Sequence, residues 1–210
     1  MIRFITFEGG DGTGKSTQLK SLADHLTERG RSHLLTREPG ATSLGKFIRR
    51  MLLEVGNEPI SSPTELFLYL ADRAQHIQEV VSPAMAQGKI VLCDRHTDST
   101  LAYQGYGRGI DIDLLKRLNT MATFGIKPDL TFLLDCPVEI GLSRTAARGT
   151  LQARREDRFE REEFDFHQRV RAGFLELAHA EPNRFRIIDA SASIPEATEQ
   201  IKAIIDRELE

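Results

Sequence analysis

Phe4-Ile5-Thr6-Phe7-Glu8-Gly9-Gly10-Asp11-Gly12-Thr13-Gly14-Lys15-Ser16-Thr17 is the stretch that decides the fold. From Gly9 to Ser16 it fits G-x-x-x-x-G-K-[ST] at every fixed position. The apolar run before it reads as a buried strand. Leu19, Leu22, Ala23 and Leu26 follow at helical spacing, and Gly30 offers a stop at the far end. Strand, glycine loop and helix N-terminus together make a cradle for anions, with backbone N–H groups and the helix dipole aimed at phosphate. Lys15 is placed to reach the terminal phosphates of a nucleoside triphosphate, and Ser16 to ligate Mg²⁺.

Bulk properties narrow the rest. The chain has 210 residues, 40% of them hydrophobic, which suits one α/β core carrying an inserted mobile segment. A net charge of -3 gives no basic excess, so neither nucleic acid nor a membrane surface is an expected partner. Cys93 and Cys136 adjoin apolar runs and read as buried reduced thiols. The six histidines show no ligand spacing. The chain enters its first strand without a leader-like segment, and no apolar stretch approaches the ~18 residues of a membrane span, so the expected location is the cytoplasm.

Strand-like segments at 3–8, 32–36, 89–93, 129–135 and 185–189 alternate with helical ones. This pattern predicts an α/β fold with a five-stranded parallel sheet flanked by helices, all within a single domain over 1–210. Residues 62–86 read as one long helix, with Ser62-Pro63-Thr64-Glu65 as a capping box. Ser193-Ile194-Pro195-Glu196 opens the last helix in the same way. Residues 144–161 break the pattern. Arg144, Arg148, Arg154, Arg155, Arg158 and Arg161 crowd there with few apolar residues, so the segment is expected to be exposed and mobile. Beside a phosphate loop it reads as an arginine-bearing lid, because phosphoryl transfer needs positive charge and exclusion of water.

A second constellation follows the strand Ile90-Val91-Leu92-Cys93, which ends in Asp94-Arg95. Ligands of open α/β sheets gather at carboxyl ends of strands. Asp94 is therefore a candidate to hold Mg²⁺, directly or through water, and Arg95 to grip a second phosphate. Glu38-Pro39-Gly40 also lies at a strand's carboxyl end, and Arg49 and Arg50 sit on the helix after it. Tyr69 and Arg73, four apart, share a helical face that suits stacking on a planar base and reading its carbonyl edge.

The segments Phe7 to Ser16, Thr36-Arg37-Glu38-Pro39-Gly40-Ala41-Thr42 and Tyr69-Leu70-Ala71-Asp72-Arg73 resemble the thymidylate kinase family. So, most specifically, does Asp94-Arg95-His96-Thr97-Asp98-Ser99-Thr100-Leu101-Ala102-Tyr103-Gln104. The likeness covers essentially the whole chain. It implies the fold of P-loop nucleoside monophosphate kinases, a homodimer through helices, and phosphorylation of dTMP to dTDP by ATP with Mg²⁺. Gly9, Gly10, Asp11, Gly12, Thr13, Gly14, Lys15, Ser16 and Thr17 would hold ATP. Asp11 would also lie near the sugar 3′-hydroxyl and the reacting phosphates. Arg49 and Arg95 would take the acceptor phosphate, and Arg73 a thymine carbonyl. Tyr69 would stack on thymine, where the family more often has Phe, and Tyr103 would crowd a ribose 2′-hydroxyl. Glu38, Ser99, Thr100 and Gln104 would complete the substrate pocket. Gly12 with an Arg-rich lid fits the bacterial pattern, in which Arg148 and Arg158 are the catalytic lid residues. The apolar faces of 63–86 and 111–124 are candidate dimer surfaces, and the loop at Asp189-Ala190-Ser191 a candidate adenine contact. A kinase for another small acceptor and a nucleotide-dependent switch are the alternatives.

Overall fold

The computed structural model describes residues 2–53, 60–147, 159 and 162–209. Five strands form one sheet: β1 (Phe4–Glu8), β2 (His33–Arg37), β3 (Ile90–Asp94), β4 (Leu130–Asp135) and β5 (Phe185–Asp189). Their spatial order is β2-β3-β1-β4-β5, and every neighbouring pair is parallel. Each strand lies within one residue of its expected span at either end.

The sheet is covered on both faces, so the central strands are apolar throughout rather than alternating. All five residues of β1 are buried. Ile5 and Phe7 point to one face, where they pack with Phe132 and Leu134. That face is closed by α1 (Lys15–Glu28), through Leu19, Leu22 and Leu26, and by the C-terminal helix Ile194–Leu209, through Ile201 and Ile205. Phe4, on the opposite face, packs with Val91, Cys93, Ile77 and Val81. Two threonines within the sheet pair with each other. Thr6 Oγ1 and Thr131 Oγ1, both buried, lie 2.7 Å apart across β1 and β4.

Helix ends follow the sequence signals with one correction. Gly30 has φ +65° and donates to Thr27 O, closing α1 as expected. Ser193 and Glu196 make the reciprocal capping box at the last helix. The long helix is continuous over 62–86: α2 is Ser43–Leu53, then α3 (Ser62–His76) runs through a π-helical segment, Ile77–Val81, into α4 (Ser82–Ala86). Its cap is Ser61, not Ser62, with the Thr64 N–H donating to Ser61 Oγ. Pro63 thereby falls in the first turn, where its missing N–H costs nothing. The Glu65 side chain does not complete a capping box. It turns inward and is buried.

A second π-helical segment, Leu101–Gly107, follows the short helix α5 (Thr97–Thr100) and carries Tyr103 and Gln104. Its characteristic i→i−5 bond runs from Arg108 N to Tyr103 O. The segment is wedged between α6 (Ile112–Ala122) and the helix Phe164–Ala180. A Cβ on Gly105 would stand 2.3 Å from Ile112 Cδ1, and one on Gly107 2.6 Å from Phe166. A wider helical turn and two glycines let this segment approach both helices.

Candidate active site

The carboxyl ends of β1 and β3 are adjacent, with Phe7 in register with Asp94. The phosphate loop leaves β1 and feeds α1. Gly9 (φ +131°) crosses so close to β4 that a Cβ would lie 2.3 Å from Leu134 O. Gly12 (φ +76°) touches α7 (Val138–Ala146), where a Cβ would lie 2.0 Å from Gly141 O. The contact is reciprocal, since a Cβ on Gly141 would meet Asp11 O at 2.5 Å. Two glycines are therefore needed at one crossing, one in the loop and one in α7.

Lys15 is folded over its own loop, with Nζ donating to Gly10 O at 2.7 Å and Gly9 O at 3.1 Å. Burial, and then the Arg95 charge nearby, push its pKa down to about 8. Ser16 Oγ donates to Asp94 Oδ2 at 2.7 Å, so the expected Mg²⁺ pair meets across the β1–β3 junction.

Arg95 stands at a bend just past β3 with φ +67°, an uncommon backbone for a non-glycine residue. Both of its terminal nitrogens are engaged. Nη1 donates to Gly9 O and Ser99 Oγ, and Nη2 to Asp11 Oδ1 at 2.6 Å and the Tyr103 hydroxyl at 3.2 Å. Tyr103 also lies under the guanidinium, 5.1 Å from ring centre to Cζ. Burial works against the Asp11 charge, but Arg95 and Lys15 outweigh it and hold the carboxyl below its usual range.

Beneath Arg95 lies Glu8, which the sequence reading passed over. It is fully buried and accepts from the His96 N–H at 2.7 Å and from Ser99 Oγ at 2.6 Å. Burial, reinforced by Asp98, pushes its pKa up to about 7. An acidic residue ending an otherwise apolar strand was the available signal.

The other end of the cleft is organised around Arg73, only 1% exposed. Its Nε donates to Glu38 Oε2 at 2.8 Å, Nη1 to Thr100 Oγ1 and Asn119 Oδ1, and Nη2 to the His96 carbonyl. Glu38 Oε1 accepts from His76 and His96. Burial opposes its charge, yet Arg73 and His96 keep its pKa well below the carboxylate range. Glu38 thus holds Arg73 in place, a supporting role that the strand-end position alone did not reveal. His76 and His96 were equally silent in the sequence, because their shared partner, Glu38 just past β2, lies 38 and 58 positions away from them.

These residues share one cleft of about 570 Å³. Asp11, Gly12, Gly14, Lys15, Ser16, Thr17, Asp94 and Arg95 line it on the loop side. Glu38, Arg49, Tyr69, Arg73, Ser99, Thr100, Tyr103 and Gln104 line the rest. Of the loop residues expected at the nucleotide, Gly9, Gly10 and Thr13 line a smaller cavity beside β4 and α7, while the Gly9 and Gly10 carbonyls accept from Lys15 of the main cleft. The sequence reading also missed Arg37, Leu53, Phe159 and Ile194, which complete the wall. The Asp189-Ala190-Ser191 loop is not on the wall. Arg144, which is, donates to Ala190 O at 2.7 Å. Arg148, Arg154, Arg155, Arg158 and Arg161 lie outside the described residues.

A parallel sheet of this order, with a phosphate loop and a strand-end Asp-Arg facing one cleft, defines an α/β P-loop kinase fold. The comparisons make the assignment specific. The family model described as thymidylate kinase matches residues 7–201. A curated thymidylate kinase of Geobacter sulfurreducens is 56% identical over 196 residues, covering 93% of this chain and 92% of the relative. That of Desulfovibrio desulfuricans is 53% identical over 207 residues, covering 97% and 94%. The crystal structure of thymidylate kinase from Ehrlichia chaffeensis superposes with a TM-score of 0.76 at 34% identity, covering 97% of this chain and 98% of that one. The chain belongs to the thymidylate kinase family, whose members phosphorylate dTMP to dTDP with ATP. Among the described residues no helix is long and apolar enough to cross a membrane.

Proposed function

We propose that 1–210 is one catalytic domain that transfers the γ-phosphoryl of ATP to dTMP by in-line displacement. The observation that carries this reading is Arg95, which reaches the phosphate loop through Gly9 and Asp11 and the opposite wall through Ser99 and Tyr103. A cation at that junction sits between donor and acceptor phosphates.

The loop amides and Lys15 take the ATP phosphates, and Lys15 exchanges its carbonyl partners for phosphate oxygens. Arg95 and Arg49 fix the dTMP phosphate, which is already an anion and needs no general base. Tyr69 stacks on thymine, while Arg73 and Gln104 read its edge. Tyr103 stands where a 2′-hydroxyl would project, favouring the deoxy sugar. Positioning and charge neutralisation do the catalytic work, as expected where little covalent chemistry falls to the protein. The Ser16 hydroxyl and Asp94 carboxylate offer hard oxygen donors beside the phosphates, a fitting pair for Mg²⁺. When bound, that ion would offset charge on the β and γ oxygens. Arg148 and Arg158 are assigned, on the sequence pattern alone, to the migrating phosphoryl as the lid within 144–161 closes.

The assembly we propose is a homodimer. Phe47 and Met51 on α2, Phe67 on α3, and Met121 and Phe124 at the end of α6 are all more than half exposed. The helices that bear them pack side by side. Exposed large apolar side chains on neighbouring helices suit a face covered by a second copy of the chain. Two free buried cysteines are in keeping with a reducing cytoplasm.

Replacing Lys15 tests the chemistry. Lys15→Ala should fold normally yet lower kcat by about 10²- to 10³-fold. A folded Lys15→Ala protein with near-normal turnover would sink the proposed mechanism.

A further inference from the structure

Gln104 lines the base end of the cleft and is only 1% exposed. Its Nε2 donates to Glu65 Oε1 at 2.9 Å. Glu65 is buried as deeply and faces Arg108, whose Nε and Nη2 each lie 3.4 Å from it. Arg108 is pinned in turn by Glu162 at 2.6 Å and by the Phe166 ring, 4.7 Å from its Cζ. A carboxylate offers only acceptors. The Gln104 amide must therefore turn its NH₂ toward Glu65, which leaves its carbonyl oxygen for the cleft. Arg73 lines the same end and keeps one further Nη2 hydrogen beyond its bond to the His96 carbonyl. The base site thus presents a donor from Arg73 beside an acceptor from Gln104. Thymine carries O4, an acceptor, next to N3–H, a donor. Cytosine carries an N4 amino group next to a bare N3, which is the reverse pattern.

We propose that Glu65 is a specificity-determining positioning residue. It touches no substrate; by fixing the Gln104 amide it makes the base site accept thymine's N3–H and reject a cytosine monophosphate. The proposal rests on Gln104 as a base contact. It also accounts for why Glu65, placed in sequence to cap α3, is turned inward beside Arg108 instead.

The test compares kcat/KM for dTMP and dCMP in the parent, Glu65→Gln, Glu65→Asp, Gln104→Leu and the Glu65→Gln/Gln104→Leu double variant. Calorimetric Kd for dTMP without ATP gives a second readout. A glutamine at 65 both donates and accepts, so the Gln104 amide is freed to turn. Glu65→Asp keeps the charge beside Arg108 but withdraws the oxygen from Gln104, and it stands in should Glu65→Gln not fold. Either variant should reduce the preference for dTMP over dCMP by about tenfold or more, with KM and Kd for dTMP rising more than kcat falls. In the Gln104→Leu background, Glu65→Gln should change the preference by less than about twofold, because its effect passes through the amide. Folded Glu65 variants that keep the parental preference overturn the proposal. So does a parent that shows no preference, or the failure of both Glu65 variants to fold, which would make the role structural. If Gln104→Leu itself keeps the preference, Gln104 is not the base contact. If Gln104→Leu loses it and the Glu65 variants do not, only the role of Glu65 falls.

Discussion

Lys15 holds its charge where burial and Arg95 both disfavour it, so its pKa lies near 8 when the loop holds only its own carbonyls. Phosphate oxygens favour the ammonium form, so the pKa in the ATP complex is higher than in the free protein. Between those two values the protein takes up a proton on binding. Well below pH 8 both states are already protonated, and ATP affinity does not vary with pH through this group. Above pH 8 the free protein loses the proton first, and affinity should fall by about tenfold per pH unit. Calorimetry at pH 8.5 in two buffers of different ionisation enthalpy should show uptake approaching one proton, abolished in Lys15→Met. No uptake in the parent would mean that Lys15 stays charged in the free loop. At this scale the sequence was legible where chemistry is local. Lys15, Ser16 and Asp94 are declared by motif and strand end. Glu8, His76, His96 and Glu65 are not, because each acquires its partner only when separate strands and helices converge.

Among the elements, the crossing of the phosphate loop with α7 is the tightest. Gly12 occupies positive φ and leaves no room for a Cβ against the Gly141 carbonyl. Gly12→Ala must strain the backbone and push α7 aside, costing about 2–3 kcal/mol of stability. Urea denaturation checks this, with a fall in midpoint at constant slope. An unchanged midpoint would mean that the loop relaxes freely from α7. For the same reason a long side chain at position 12 would not suit this loop conformation. Strands and helices were legible because apolar runs and caps are short-range signals. The π-helical turns at 77–81 and 101–107 were not, since the second depends on how Gly105 and Gly107 meet side chains from two later helices. Lid residues 148–158 fall outside the described residues, so that expectation stays with the sequence pattern.

At the scale of the whole molecule, two well-packed faces of the sheet contrast with the apolar patch on α2, α3 and α6. The sequence pointed to the segments 63–86 and 111–124, and the structure adds Phe47 and Met51 of α2, whose outward face alternates closely with its buried one. Phe47, 59% exposed, costs little to replace in a monomer. Phe47→Asp should therefore leave the monomer fold intact while shifting the sedimentation coefficient from dimer to monomer at micromolar concentration. An unchanged dimer would move the interface off this patch. The fold and the cleft were legible from motifs spread along the chain. Which wall residues hold the others in place was not, because that information lies in contacts between residues far apart in the chain, such as Tyr103 with Asp11, 92 positions away. The central claim is that one cleft joins the donor phosphates to a thymine-reading wall. Acceptor-dependent ADP release, measured with Mg²⁺, ATP and dTMP, dUMP, UMP, dCMP, dGMP or thymidine in turn, tests it most directly. The account predicts dTMP as the strongly preferred acceptor, with UMP penalised at Tyr103 and dCMP at Gln104. ADP release indifferent to the acceptor, or preference for a purine nucleotide, would contradict it.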